Sequence, residues 1–209
     1  MWGVINMKIN GITISDGNSK LGTIANFSVT PGRTCSAEAC KTCLNGGCYA
    51  MKSYRMYKNV RAAWDGNTEA AENDLQRMEM ALNKYFDGMN APRFFRIHVA
   101  GDFVSVEYAE MWARVAASHH ATSFLAFTKQ WDNVRGIDFP DNFSLVLSAW
   151  PGCTIPEDLR KRYSVAWLND GSNADEIPAD ALECPGNCST CGVCWSLAKR
   201  GLDVVFAKH

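Results

Sequence analysis

Hydrophobic and polar positions follow two different periods along the chain, and segments with a two-residue period alternate with segments of helical period. GTIANFSVT (22–30) alternates apolar and polar residues and ends at Pro31-Gly32, which is typical of a strand followed by a turn. From Asn67 to Phe86 apolar residues return every three or four positions, which predicts one long amphipathic helix. We expect FFRIHVAGDF (94–103) to form the next buried strand.

The rest of the chain repeats this order. Ser105 is placed to cap a helix over VEYAEMWARVAAS, whose inner face would include Trp112 and Val115. Further strands are predicted over 123–129, 142–150, 164–170 and 203–209, with a short helix in PEDLRKRY. Repeated β–α units predict an α/β fold with mostly parallel strands, either open and doubly wound or curved as a partial β/α barrel. We expect residues 1–209 to form a single domain with a cysteine loop at 31–50 and a cysteine-rich insertion at 171–200.

Composition narrows the functional classes. The chain has 209 residues, of which 47% are hydrophobic, and this predicts a folded globular protein. No apolar run approaches the ~20 residues that span a bilayer, and the beginning lacks the features of a signal peptide, so we expect a cytoplasmic protein without a membrane partner. A formal net charge of -1 with interspersed acids and bases does not favour nucleic acid as a partner.

Nine cysteines in a reducing compartment indicate metal ligation or catalysis rather than a disulfide framework. Cys35, Cys40, Cys43 and Cys48 fall within fourteen residues, and Gly46-Gly47 permits a tight loop around one point. Sulfur ligands favour zinc or iron–sulfur over hard cations. The alternative for some of these residues is a small buried side chain.

The second group, CPGNCSTCGVCW, contains four cysteines at gaps of three, two and two, namely Cys184, Cys188, Cys191 and Cys194. Zinc sites usually pair two short knuckles across a longer gap, whereas a near-continuous string of thiolates is typical of [4Fe–4S] ligation. We therefore expect one or two iron–sulfur clusters, with zinc as the alternative metal.

Several polar side chains are predicted at the carboxyl ends of strands, where open parallel sheets and barrels bind ligands. His98, Asp102 and Lys129 are candidate catalytic residues, and Asp102 and Lys129 are candidate ligand-binding residues. Each has a plainer alternative: a core histidine, a helix cap and a solvated lysine. Cys153 follows Trp150-Pro151-Gly152 and is interpreted as a small core residue that could still lie close to a cluster.

Several segments together resemble a bacteriophage-associated family, the gene-product-eighty-eight-like domain proteins. They are NSKLG (18–22), the loop closing on Cys48-Tyr49-Ala50, RIHVAGDF, FLAFTK, CSTCGVCW and the final VVFAKH. The resemblance covers nearly the whole chain and implies a phage or prophage protein in the cytoplasm of the host cell. It implies no particular reaction.

The layout is also similar to radical S-adenosylmethionine enzymes, which place a cluster-binding cysteine loop after the first strand of a partial β/α barrel. That similarity makes S-adenosylmethionine a candidate cofactor. However, Cys184, Cys188 and Cys191 have the three-then-two gap of those enzymes at the other end of the chain, and the first loop has gaps of four, two and four.

Two functions remain open at this point. The leading hypothesis is a redox or radical-enzyme-like iron–sulfur protein whose partner is a small molecule or an electron-transfer protein. The alternative is a zinc-stabilised interaction module without catalytic activity, in which closed Cys₄ sites contribute folding energy.

Overall fold

The computed structural model of the protein describes residues 6–39, 41 and 48–207. In this part nine strands form one sheet. The strands are β1 (Asn6–Ile9), β2 (Ile12–Ser15), β3 (Ala25–Phe27), β4 (Phe94–Ile97), β5 (Ser123–Thr128), β6 (Phe143–Ala149), β7 (Ser164–Asn169), β8 (Leu182–Glu183) and β9 (Val204–Ala207).

The helices of the described residues fall mainly between these strands. They include α1 (Tyr49–Met56), α2 (Lys58–Asn73), α3 (Leu75–Phe86), α4 (Val106–Ser118), α5 (Glu157–Arg162), α6 (Cys188–Cys191) and α7 (Leu197–Arg200), with 3₁₀ turns at Ala174–Glu176 and Val193–Ser196. The predicted helices over VEYAEMWARVAAS and PEDLRKRY are therefore confirmed, and the Ser105 hydroxyl caps α4 by accepting from the Tyr108 backbone N–H at 3.2 Å.

The sheet order is β1-β2-β3-β4-β5-β6-β7-β9-β8. The pairs β1–β2 and β2–β3 are antiparallel, and every later pair is parallel. The predicted α/β domain with mostly parallel strands is thus confirmed. Strands β3 to β7 are neighbours in chain order, without the reversal that defines a doubly wound sheet, so that alternative is wrong.

The two faces of the sheet are covered by different parts of the chain. On β6, Leu145 packs in the core that α2, α3 and α4 cover, whereas the next residue, Val146, packs in a separate core with Trp195 and Leu197. Successive strand residues point to opposite faces, so helices cover one face and the cysteine-rich segment covers the other.

The predicted long helix from Asn67 to Phe86 is two helices, because the chain breaks at Asp74 (φ −152°, ψ 65°). The Asp74 carboxylate accepts from the Arg77 backbone N–H at 3.1 Å, which caps α3. Both helices still bury the expected apolar positions, including Met78 and Leu82, which are fully buried. A capping residue inside a continuous helical period was the signal for this break.

Two further differences concern strands. The sequence prediction omitted the β1–β2 hairpin, although its turn is Asn10-Gly11 with φ of 49° and 84°, the pair that favours a two-residue hairpin loop. The predicted strand over 94–103 ends at Ile97, because His98 has φ 57° and leaves the extended conformation. The last strand is confirmed over Val204–Ala207, while residues 208–209 lie outside the described part.

Candidate functional site

Asp102 fastens the ends of two parallel strands together. Its Oδ1 accepts from the Thr128 hydroxyl at 2.6 Å and from the Phe103 backbone N–H at 2.8 Å, and its Oδ2 accepts from the Lys129 backbone N–H at 2.7 Å. Burial raises the pKa of Asp102, and these three hydrogen bonds act in the opposite direction. The side chain is 5% exposed, so its geometry is that of a structural clamp between the β4 and β5 ends.

Thr34 connects this clamp to the first cysteine loop. The Thr34 hydroxyl accepts from the Asp102 backbone N–H at 3.0 Å, and the Thr34 carbonyl accepts from Gln130 Nε2 at 2.9 Å. Cys35 is the next residue, and its Sγ accepts from the Gly32 backbone N–H at 3.5 Å. Cys35 therefore lies at the carboxyl ends of the strands, as the sequence predicted. A cleft of about 480 Å³ opens beside Thr34 and Gln130.

His98 points into the helix-covered core. Its Nε2 is 2.8 Å from the Tyr108 hydroxyl of α4, its ring packs edge-on against Phe103, and its Nδ1 has no hydrogen-bond partner among the described residues. Burial, and to a lesser extent the charge of Arg96, lower the pKa of His98 to about 3. This environment is that of a neutral core histidine, the plainer of the two alternatives drawn from the sequence.

Lys129 and Cys153 occupy other parts of the same edge. Lys129 reaches Asp102 through its backbone N–H, and its side chain is partly buried. The Cys153 thiol accepts from the Trp150 backbone N–H at 3.2 Å and packs in a small core with Trp131. Burial raises the pKa of the Cys153 thiol, and the contact set is that of a small core residue.

The cysteine-rich segment is anchored across the opposite face of the sheet. The Cys188 backbone N–H donates to the Lys20 carbonyl at 3.0 Å, and the Ser144 hydroxyl of β6 donates to the Cys194 carbonyl at 2.9 Å. Trp195 Nε1 donates to the Phe95 carbonyl of β4 at 3.2 Å. These contacts tie the segment to strands far away in sequence, so the tertiary fold fixes where its thiols lie.

The four thiols of this segment are close enough to perturb one another. The pKa of Cys194 is raised to about 12, mainly by burial; Arg96 acts to lower it, and the charges of the other three cysteines act to raise it. Burial also raises the pKa of Cys188, while Arg96 and Lys20 lower it. Cys188 thus lies beside Arg96 and Lys20, and Cys194 lies beside Arg96. All four cysteines of the segment are free thiols.

Arg96 is the residue of this site that sequence reasoning missed. It projects from β4 on the face that the cysteine-rich segment covers, and its guanidinium lies 4.1 Å from the centre of the Phe127 ring. Its Nε donates to the Ile97 carbonyl at 3.2 Å, and no carboxylate of the described residues forms an ion pair with it. Burial lowers the pKa of Arg96, while the charges of Cys188 and Cys194 raise it. An arginine inside an otherwise apolar strand was the available signal.

The first cysteine loop also approaches Arg96. Tyr49 directly follows Cys48, and its hydroxyl donates to the Val99 carbonyl at 2.6 Å, just beyond the end of β4. Ionised Tyr49 would raise the pKa of Arg96, as ionised Cys188 and Cys194 would. Tyr49 and the second cysteine group therefore both approach this arginine. Cys40 and Cys43 lie outside the described residues.

The donor set of the second group fits a thiolate-bound metal. Its sulfurs come from one short segment and are partly buried, and Arg96 and Lys20 beside Cys188 would offset thiolate charge. In the conformation described for residues 6–39, 41 and 48–207, no three Cys, His, Asp or Glu side chains are close enough to hold a metal ion. Binding would therefore need the thiols to move closer together.

Fold and site define a single-domain α/β protein whose mostly parallel sheet carries helices on one face and a cysteine-rich segment on the other. The family model described as Gene product 88 matches residues 7–197, so the chain belongs to this family. The family resemblance drawn from the sequence is confirmed at this level.

The relatives come from bacteriophages. The chain is 27% identical over 207 residues to the Gene 88 protein of Mycobacterium phage L5, with 85% of each protein covered. It is 30% identical over 121 residues to the Gene 88 protein of Mycobacterium phage D29, covering 54% of this chain and 50% of the relative. No solved structure matches the chain significantly, so the similarity to radical S-adenosylmethionine enzymes gains no support from known structures. Within the described residues, no helix combines the length and apolar character needed to cross a membrane.

Proposed function

We propose that this protein is a phage-type iron–sulfur protein in which Cys184, Cys188, Cys191 and Cys194 hold a [4Fe–4S] cluster. Cys35, Cys40, Cys43 and Cys48 form a second, auxiliary site in this proposal. The observation that carries it is the position of Arg96, a half-buried cation that faces Cys188 and Cys194 and has no carboxylate partner in the described structure.

A half-buried guanidinium without an anion is unfavourable, since partial desolvation penalises its charge. A metal group with four thiolate ligands carries net negative charge, whether it contains iron–sulfur or zinc, and would supply the missing counter-charge. Loaded thiolates would in turn be stabilised by Arg96 and Lys20, whose charges already favour the ionised form of Cys188. The charge argument supports a metal in general, and the closely spaced string of four cysteines supports iron–sulfur over zinc.

The proposed role is electron transfer or redox chemistry, because a cluster with four cysteine ligands has no open iron. A radical-enzyme-like role would instead use the first loop, which follows the first parallel strand, with a small molecule in the cleft beside Thr34 and Gln130. S-adenosylmethionine would be a cofactor only in this radical-enzyme-like role. We place this activity in the cytoplasm of the host cell.

The decisive experiment is metal analysis of the protein purified without oxygen. We expect brown protein with sulfide-to-iron absorption and with iron and acid-labile sulfide in equal amounts. Cys188→Ser should lower both contents, whereas Cys153→Ser is the matched control because Cys153 is equally half-buried but packs in a different core. Colourless protein with stoichiometric zinc and no sulfide would favour the zinc-stabilised module instead. Unchanged metal content in Cys188→Ser, or an equal loss in both variants, would contradict the assignment.

A further inference from the structure

One stretch of the chain is strongly basic although the whole protein is not. Residues 39–64 contain no aspartate or glutamate and five basic residues: Lys41, Lys52, Arg55, Lys58 and Arg61. The formal net charge of the entire chain is -1, so a chain-wide count conceals this local asymmetry. A local patch, rather than the total, decides whether a polyanion is attracted.

The structure turns part of this stretch into an outward surface. On α1, Tyr49, Lys52 and Met56 recur at three- and four-residue steps and share the exposed side, while Ala50 is buried beneath. The exposed side continues through Tyr57, which is extended between two helices (φ −115°, ψ 110°), into Lys58. We call this the basic-aromatic surface: Tyr49, Lys52, Arg55, Met56, Tyr57 and Lys58.

The aromatic rings of this surface are presented to solvent. Tyr49 is 70% exposed and Tyr57 is 51% exposed. The Tyr49 hydroxyl is fixed on the Val99 carbonyl, so the exposed ring is held in place at little entropic cost. Tyr54 serves as a contrast, because it stacks on Trp64 and donates to Asp65.

Two acids of the neighbouring helix α2 contact residues outside this surface. Asp65 accepts from the hydroxyls of Tyr54 and Thr30, and Glu72 is paired with Arg33. No carboxylate of the described residues forms an ion pair with the basic side chains of the surface. Their charges therefore remain available for a negatively charged ligand.

We propose that the basic-aromatic surface binds single-stranded nucleic acid. Its cations suit phosphates, and its exposed rings suit unstacked bases, the combination that sequence-tolerant single-strand binding uses. A duplex keeps its bases stacked and would leave the rings without a partner. An anionic membrane would also attract the charges, but it would need a larger apolar surface than two tyrosines and one methionine provide. The proposal is independent of whether a cluster is bound.

The test is fluorescence anisotropy with the full-length protein and labelled oligothymidylate, oligouridylate, a DNA duplex and anionic lipid vesicles. Three phosphate contacts, from Lys52, Arg55 and Lys58, give a salt exponent of about −2 for single strands. Affinity should then fall about 20-fold between roughly 50 and 200 mM salt. The oligothymidylate and oligouridylate arms distinguish DNA from RNA.

Matched variants separate the contribution of the basic-aromatic surface to binding from the effects of net charge and of folding. Lys58→Glu should weaken single-strand binding at least about fivefold, whereas Lys84→Glu, an equal charge reversal at an exposed lysine of α3, should not. Tyr57→Ala should weaken binding about fivefold or more, and Tyr57→Phe should retain it because the ring remains. Melting curves and metal content, measured on every variant, keep this result apart from the proposed cluster.

Three outcomes would overturn the proposal. The first is an absence of single-strand binding at low salt by protein that is folded. The second is equal loss in Lys58→Glu and Lys84→Glu, which would mean that only net charge matters. The third is duplex or vesicle binding as tight as single-strand binding, together with unchanged binding by Tyr57→Ala.

Discussion

Replacing Gly101 with alanine tests the geometry that holds the first cysteine loop at the carboxyl end of β4. Gly101 has φ 75°, and a Cβ there would lie 2.4 Å from Val29 Cγ2, 2.6 Å from Thr34 Oγ1 and 2.7 Å from the Val29 carbonyl oxygen. The backbone conformation alone costs a side chain about 1–2 kcal/mol. Moving Thr34 aside would also break its hydrogen bond with the Asp102 backbone N–H, worth about 1 kcal/mol. Displacing Val29, which is fully buried, costs about 1 kcal/mol more.

We therefore expect Gly101→Ala to lower the free energy of unfolding by about 3–4 kcal/mol, measured by urea denaturation of the anaerobically purified protein. Gly136→Ala is the matched control, since Gly136 has φ 80° but nothing within 4 Å of the added Cβ. It should cost only the conformational part, about 1–2 kcal/mol. Equal destabilisation by the two variants would refute the close approach of Gly101 to Val29 and Thr34.

Two other predictions concern β4 and the residue after it. The folded protein keeps His98 neutral down to a pKa of about 3, whereas the unfolded side chain takes up a proton near 6.5. Stability should therefore fall as the pH is lowered from 6.5 towards 3, with a contribution of about 1.4 kcal/mol per pH unit from this group. His98→Asn, which tolerates positive φ, should remove that contribution, and parallel stability profiles for the two proteins would contradict it. Arg96→Met should lower the reduction potential of the proposed cluster, because a positive charge favours the reduced form, while Arg96→Lys should largely preserve it. Voltammetry checks this, and equal potentials in all three proteins would rule out Arg96 as the counter-charge.

The strand pattern was predictable because each strand carries its own signal. β5, β6, β7 and β9 lie inside the predicted segments, and the apolar period from Asn67 to Phe86 identified the buried face of α2 and α3. The break at Asp74 and the Asn10-Gly11 hairpin also have local signals. Both features follow general capping and turn rules, so the local sequence encodes them.

The candidate site was only partly predictable. Asp102 and Lys129 were expected at strand ends, and the structure joins them by a hydrogen bond. The local sequence does not show that the His98 side chain points towards Tyr108 rather than towards the strand ends. The positive φ of His98 ends the regular alternation of side chains between the two faces of the sheet. Arg96 belongs to no sequence motif. Its role depends on which segment covers its face of the sheet.

The sequence by itself determined the family, the order of strands and helices, and the presence of two cysteine groups, because these depend on residue types at short spacing. Only the tertiary structure decided that the second cysteine group crosses the face opposite the helices and approaches Arg96. That decision rests on contacts such as Trp195 with the Phe95 carbonyl, one hundred residues away in the chain. Such contacts join buried polar groups that are far apart in the chain, and no short stretch of sequence determines which groups will pair.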